Sequence, residues 1–133
     1  MRREGGCHCG RVRFALEGEP FAVAYCHCSI CRRSSGAPFV FVGMWQPGQL
    51  EVLGGEPLTE RATSSYLKRR RCPDCGAAIY NAVSSARMQS VNVMLPLLDE
   101  KPNLRATHHI YYADRVVDVD DGLPKFDGFG MPK

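Results

Sequence analysis

The chain has 133 residues, a formal net charge of +3, and 44% hydrophobic against 23% charged residues. That is ordinary globular usage for one domain and argues against wholesale disorder, while no apolar run approaches the ~18 residues that a membrane helix needs. The opening MRREGG has no apolar stretch behind it and does not read as a secretory signal, so a soluble, cytoplasmic protein is expected.

Taken in chain order, the elements are short and mostly β. Arg11 to Glu17 alternates with period two, Val12, Phe14 and Leu16 on one face, which predicts a half-buried strand. Ser29 to Ser34 is the one predicted helical turn, stopped by Gly36 and Pro38. Phe39–Val42, β-branched and aromatic, predicts a strand. Further strands are expected over Leu50–Leu53, Thr59–Leu67, Ala78–Val83, Ser90–Leu95 and Thr107–Tyr112, and a strand edge over Asp114–Asp121. Turn residues punctuate these segments at short intervals, as at Gly18-Glu19-Pro20 and Gly54-Gly55-Glu56-Pro57. The expected fold class is therefore mostly β, built of short antiparallel strands.

Seven cysteines are the outlier. An odd number without an export signal disfavours disulfides and favours metal ligation. If all seven were thiolates on two Zn²⁺ ions, the net charge would fall to about zero, so the basic pI is weak evidence for a nucleic-acid partner. No nucleic-acid or membrane partner is expected.

All seven fall in three groups: Cys7-His8-Cys9-Gly10, Cys26-His27-Cys28-Ser29-Ile30-Cys31 and Cys72-Pro73-Asp74-Cys75-Gly76. The third has the spacing of a zinc knuckle, and the first shares its trailing glycine, which permits the positive-φ turn that wraps backbone around sulfur. Together, Cys7, Cys9, Cys72 and Cys75 complete a closed Cys₄ site, which reads as a structural zinc; other pairings of the same clusters remain open. The second group supplies three thiolates alone. Three protein ligands and an open fourth position mark a reactive zinc, and an ion carrying three thiolates is a weak Lewis acid better suited to exchanging another soft ligand. Cys26, Cys28 and Cys31 thus point to a thiol substrate, with Arg32 and Arg33 following to offset the negative charge. A second structural zinc completed by His27 or His8, or metal-free reduced cysteines, are the alternatives.

His27 lies between two proposed ligands and in an extended segment would point away from them, as a hydrogen-bonded structural histidine or a proton shuttle. Of His108 and His109, one should point inward. Lys68-Arg69-Arg70-Arg71 reads as a solvated strand end that could also attract an anionic thiol. Cys72 and Cys75 do not read as a redox pair, because no βαβ pattern surrounds them.

The order C-x-C-G, C-H-C-x-x-C-R, C-P-x-C-G resembles the GFA family, the glutathione-dependent formaldehyde-activating enzymes (CENP-V/GFA domain). Gly54-Gly55-Glu56-Pro57-Leu58, His109-Ile110-Tyr111 and Asp120-Asp121-Gly122-Leu123-Pro124-Lys125-Phe126 are similar to that family too, so the resemblance implies one domain over 1–133. It implies an Mss4-like fold of coiled antiparallel sheets, a structural zinc on Cys7, Cys9, Cys72 and Cys75, and a catalytic zinc on Cys26, Cys28 and Cys31. It also implies a carbon–sulfur lyase that joins formaldehyde to glutathione, giving S-(hydroxymethyl)glutathione. A non-catalytic zinc-scaffolded binding module is the competing expectation.

Overall fold

In the computed structural model the described residues, 1–132, form ten strands and one short helix. In order these are β1 (Arg2–Gly6), β2 (Arg13–Glu17), β3 (Ala22–Cys26), α1 (Ser29–Ser35), β4 (Val40–Trp45) and β5 (Leu50–Gly54), then β6 (Thr59–Ala62), β7 (Leu67–Arg71), β8 (Ala78–Ser84), β9 (Gln89–Met94) and β10 (His108–Ile110). Strands β1, β2 and β5 make one antiparallel sheet; the other runs β10-β3-β4-β9-β8-β7-β6. The mostly-β, antiparallel expectation holds, with one exception: β10 pairs parallel to β3, Ile110 opposite Cys26. No helix among the described residues is long and apolar enough to cross a membrane.

Period-two alternation divides the large sheet into two faces. One face packs Val23, Trp45, Val91 and Val93 against Phe14 and Leu16 of the small sheet. Phe14 and Leu16 are fully buried, worth roughly 1.5–3 kcal/mol each. Trp45 is buried with them and donates its Nε1–H to Gly18 O at 3.1 Å, so its polar atom is not stranded. The other face gathers Ala22, Ala24, Cys26, Val42, Met44 and Ile110, with Cys31 from α1. The candidate site lies on this second face.

Several expected elements differ. Thr59–Leu67 is not one strand: β6 ends at Ala62, residues 63–66 bend back, and Thr63 N–H donates to Leu67 O at 3.1 Å. The basic run then forms β7, held between β6 and β8 rather than fraying into solvent. β1 and β3 carry no amphipathic signal that the alternation rule reads. β1 is polar by sequence, yet Arg3 is buried and bonded to Glu19 at 2.8 Å and to Asn103 at 3.1 Å; β3 is apolar on both faces because both are covered. Asp114–Asp121 forms no strand edge: it leaves a 3₁₀ turn at Tyr112–Asp114 and continues irregularly. Both His108 and His109 are fully buried, not one of the two.

Candidate metal centres

The first cysteine centre joins two tight loops. Cys7 and Cys9 leave β1, and Cys72 and Cys75 leave β7. The four sulfurs lie within 4.8 Å of one another, with Cys7–Cys9 at 3.6 Å and Cys9–Cys72 at 3.7 Å. Val12 N–H donates to Cys7 Sγ (3.3 Å) and Cys75 N–H to Cys72 Sγ (3.4 Å), and Gly10 and Gly76 take φ of 83° and 77°. Only a residue without Cβ adopts that conformation freely, so the trailing glycines do what the spacing predicts. Burial opposes ionisation of Cys7, but the Val12 N–H and the neighbouring sulfurs outweigh it and bring its pKa down to about 6. Arg11 ties the loops together, its guanidinium 3.0 Å from Asp74 Oδ1.

The second centre is local. Cys26 ends β3, Cys28 caps α1 and Cys31 sits in the helix's first turn. Their sulfurs also lie within 4.8 Å of one another. Cys31 N–H donates to Cys28 Sγ at 3.2 Å, and Cys26 and Cys31 sulfurs are 3.7 Å apart. Hydrogen bonds from the Cys26 and Cys31 thiols hold Cys28 far below the usual thiol range, while Cys28, Cys31 and burial push Cys26 up. Three crowded sulfurs thus ionise one at a time unless a cation joins them. Both sulfur sets fit a soft divalent metal ion. Neither His8 nor His27 belongs to either set.

A cavity of about 190 Å³ opens beside the second centre. Its walls include Val42, Met44, Leu67, Val83, Met88 and Ile110, with Arg69, Asn81, Tyr66 and Tyr111 as polar members. Cys28 is only half-buried and faces it.

The family model for "Glutathione-dependent formaldehyde-activating enzyme" (GFA) matches residues 2–114. The chain belongs to the GFA family. A Halomonas elongata relative named "Putative glutathione-dependent formaldehyde-activating enzyme" is 30% identical over 87 residues, covering 60% of this chain and 55% of the relative. A Schizosaccharomyces pombe relative named an uncharacterized lyase is 29% identical over 84 residues, 63% of this chain and 60% of its own length. The matched part thus spans little more than half the length of these relatives. A crystal structure of a Rhodobacter sphaeroides protein shares the fold, with a TM-score of 0.62 at 24% identity over 75% of this chain and 91% of that one.

Around this GFA framework two residue sets stand out that the motif spacing did not single out. The first is Arg69. Arg32 and Arg33, expected to offset the thiolates, do not reach them: Arg32 Nε donates to His27 O at 3.3 Å. Arg69 does, with both terminal nitrogens at 3.7 and 3.6 Å from Cys31 Sγ. It is buried, against the expectation of a solvated run. The readable signal was alternation, since Leu67, Arg69 and Arg71 share a strand face.

The second is a buried histidine chain behind the cluster. His27 turns away from the sulfurs, as expected, and its Nε2 is 2.8 Å from His109 Nδ1; His109 Nε2 is 2.7 Å from Asp121 Oδ2. Lys125 Nζ holds the other Asp121 oxygen at 3.0 Å. The acidic stretch therefore contributes a structural partner where none was assigned. Nothing in local sequence joins residues 27, 109 and 121; the parallel β3–β10 pairing does.

Proposed function

We propose that this chain is a zinc-dependent carbon–sulfur lyase that forms or cleaves the adduct of a small thiol, glutathione or one like it, with formaldehyde or a related aldehyde. The carrying observation is the Cys26–Cys28–Cys31 sulfur set, three sulfurs within 4.8 Å of one another in the wall of a cavity. Three thiolates leave a tetrahedral zinc one ligand short, whereas Cys7, Cys9, Cys72 and Cys75 fill all four positions of a structural zinc. When bound at the three-sulfur set, zinc supplies a soft, charge-neutralising site for a substrate sulfur. A single domain over residues 1–133 working in the cytoplasm completes the reading.

The chain's own residues supply the rest. In the forming direction a carbon–sulfur bond is made, the carbonyl π bond is broken, and the carbonyl oxygen takes a proton. Tyr111 lines the cavity, and burial first, then Tyr66 and the three cysteines, push its phenol pKa up. It stays protonated at neutral pH and is the donor for that oxygen. Its backbone is held at φ 54°, an unusual conformation for a non-glycine residue, by a hydrogen bond from its N–H to Gly128 O at 2.9 Å. With a metal bound, Arg69 would offset the negative charge of the Cys31 thiolate.

The test is zinc stoichiometry followed by turnover. Elemental analysis should give two zincs per chain for wild type and one for Cys28→Ser with the fold intact. Loaded wild-type protein should accelerate S-(hydroxymethyl)glutathione exchange above the spontaneous rate, and the variant should not. One zinc unaffected by the substitution, with no second uptake on adding zinc, would favour a non-catalytic zinc-scaffolded binding module.

A further inference from the structure

Next to the cavity, and sharing Ile30, Thr63 and Arg69 with it, lies an open groove of about 360 Å³. Its charged lining is Arg33, Arg61, Arg69 and Arg71. Arg61 stands directly across from Arg69 in the β6–β7 register. Like charges facing each other across strands repel. The acid of this ribbon does not relieve them, because Glu60 pairs with Arg70 at 2.6 Å and Lys68 at 3.8 Å, which alternate to the opposite face. Among the described residues none of the four groove arginines pairs with a carboxylate; Arg69 is held at Cys31 Sγ and Arg71 at the Gly76 and Ser34 carbonyls, so Arg33 and Arg61 are the two whose guanidinium groups have no partner. A groove walled by arginine stems, with the charged ends of Arg33 and Arg61 free, thus meets an apolar cavity, with the Cys31 sulfur and Arg69 at the junction.

We infer that this site is bipartite and selects an aldehyde larger than formaldehyde: the carboxylates of the thiol lie on the arginine groove, and the cavity takes the apolar skeleton of an aldehyde of about six carbons, the carbonyl carbon included. This rests on the lyase reading above and names its substrate class. Size decides the carbon count. An apolar cavity of about 150 Å³ holds a benzene ring, so about 190 Å³ suits a six-carbon chain or ring, whereas a hydroxymethyl group would leave most of it unfilled. It is too small for a whole peptide-thiol adduct, so only one half enters. Polarity decides which half: carboxylates against Val42, Met44, Val83 and Ile110 would go unpaired, while the groove offers them guanidinium partners. The reaction is unchanged in its balance. The thiol sulfur bonds to the carbonyl carbon, the π bond breaks, and the proton lost by the thiol is matched by one gained at oxygen.

The experiment uses two unreactive thioethers, S-methylglutathione and S-hexylglutathione, titrated calorimetrically into zinc-loaded protein. Each buried methylene is worth about fourfold, so S-hexylglutathione should bind about 100-fold tighter or more. Val83→Phe, which fills the cavity from β8, should cut that preference below about fivefold; Met88→Trp, in the β8–β9 loop, serves the same purpose if the β8 variant does not fold. Equal affinity for the two probes, or binding of neither, overturns the proposal. Turnover with glutathione plus formaldehyde or hexanal separates the two readings. A hexyl preference without turnover of either keeps the pocket and sinks the lyase. Turnover of formaldehyde with no hexyl preference keeps the lyase and sinks the pocket.

Discussion

Arg69 sets both terminal guanidinium nitrogens 3.6 and 3.7 Å from the Sγ of Cys31, from a strand 38 residues further along the chain. A buried arginine without a carboxylate partner is costly, and here the sulfur cluster provides the counter-charge. Arg69→Met should therefore weaken metal binding at Cys26–Cys28–Cys31 by about 10- to 100-fold and leave the Cys₄ centre unchanged. Arg69→Lys, which keeps the charge but not the fork, should recover only part of it. Competition against a chromophoric chelator, resolving two release phases, reads both; equal loss at both centres would point to general unfolding instead.

The two centres should differ in what their removal does to stability. The Cys₄ set draws on Cys7 and Cys72, which belong to the core between the sheets, so metal binding there is folding free energy. Cys72→Ser should lower the melting temperature by at least about 10 °C, whereas Cys28→Ser should cost less than about 5 °C. Thermal melts by circular dichroism decide it, and the reverse order would mean the roles of the centres are exchanged.

Acid sensitivity should begin with histidines. Burial, and then the charges of His109 and Arg115, hold His27 down to about 4; burial, chiefly, holds His108 below its ordinary value. Unfolded, both titrate near about 6.5. Below that pH the unfolded chain binds more protons than the folded one, so stability falls as pH drops from about 6.5, continuing to about 4 for His27. Asp121 acts later: burial would raise it, but hydrogen bonds from His109, Lys125 and the Leu123 N–H outweigh that and hold it low. Its contribution is present above its unfolded value and is lost only in stronger acid. Urea midpoints from pH 7.5 to 5 should slope downward, and less steeply in His108→Gln, a site that hydrogen-bonds to neither cysteine centre. A variant slope equal to wild type would remove His108 from the account.

If Tyr111 donates the proton, Tyr111→Phe should lower kcat about 100-fold with KM changed less than about threefold. A rise in KM alone would assign it to binding.

The cysteine groups were legible because ligation imposes spacing: C-x-C-G and C-P-x-C-G force a positive φ after the second cysteine, and Gly10 and Gly76 supply it. The strands around Phe14, Val42 and Val93 were legible through alternation. Arg69, by contrast, looked like one cation in a run of four, and its burial depends on β6 folding back beside β7. The link from His27 through His109 to Asp121 depends on a parallel pairing between strands about eighty residues apart, which no local pattern encodes. The turn at Thr63 was hidden for a local reason: the stretch from Thr59 to Leu67 contains no glycine or proline to mark where β6 stops.

The two cysteine centres also differ in when they can come into being. Cys26 and Cys31 are five residues apart, whereas Cys9 meets a partner 63 residues later at Cys72. As the chain leaves the ribosome, the local trio can capture a cation while the second half is still being made. The four-sulfur centre must wait until β7 and the loop after it have emerged and closed a long loop, which is entropically the harder step. If both centres take a metal, the local trio can fill first, and a shortage of cation during synthesis would delay the fastening of one sheet to the other.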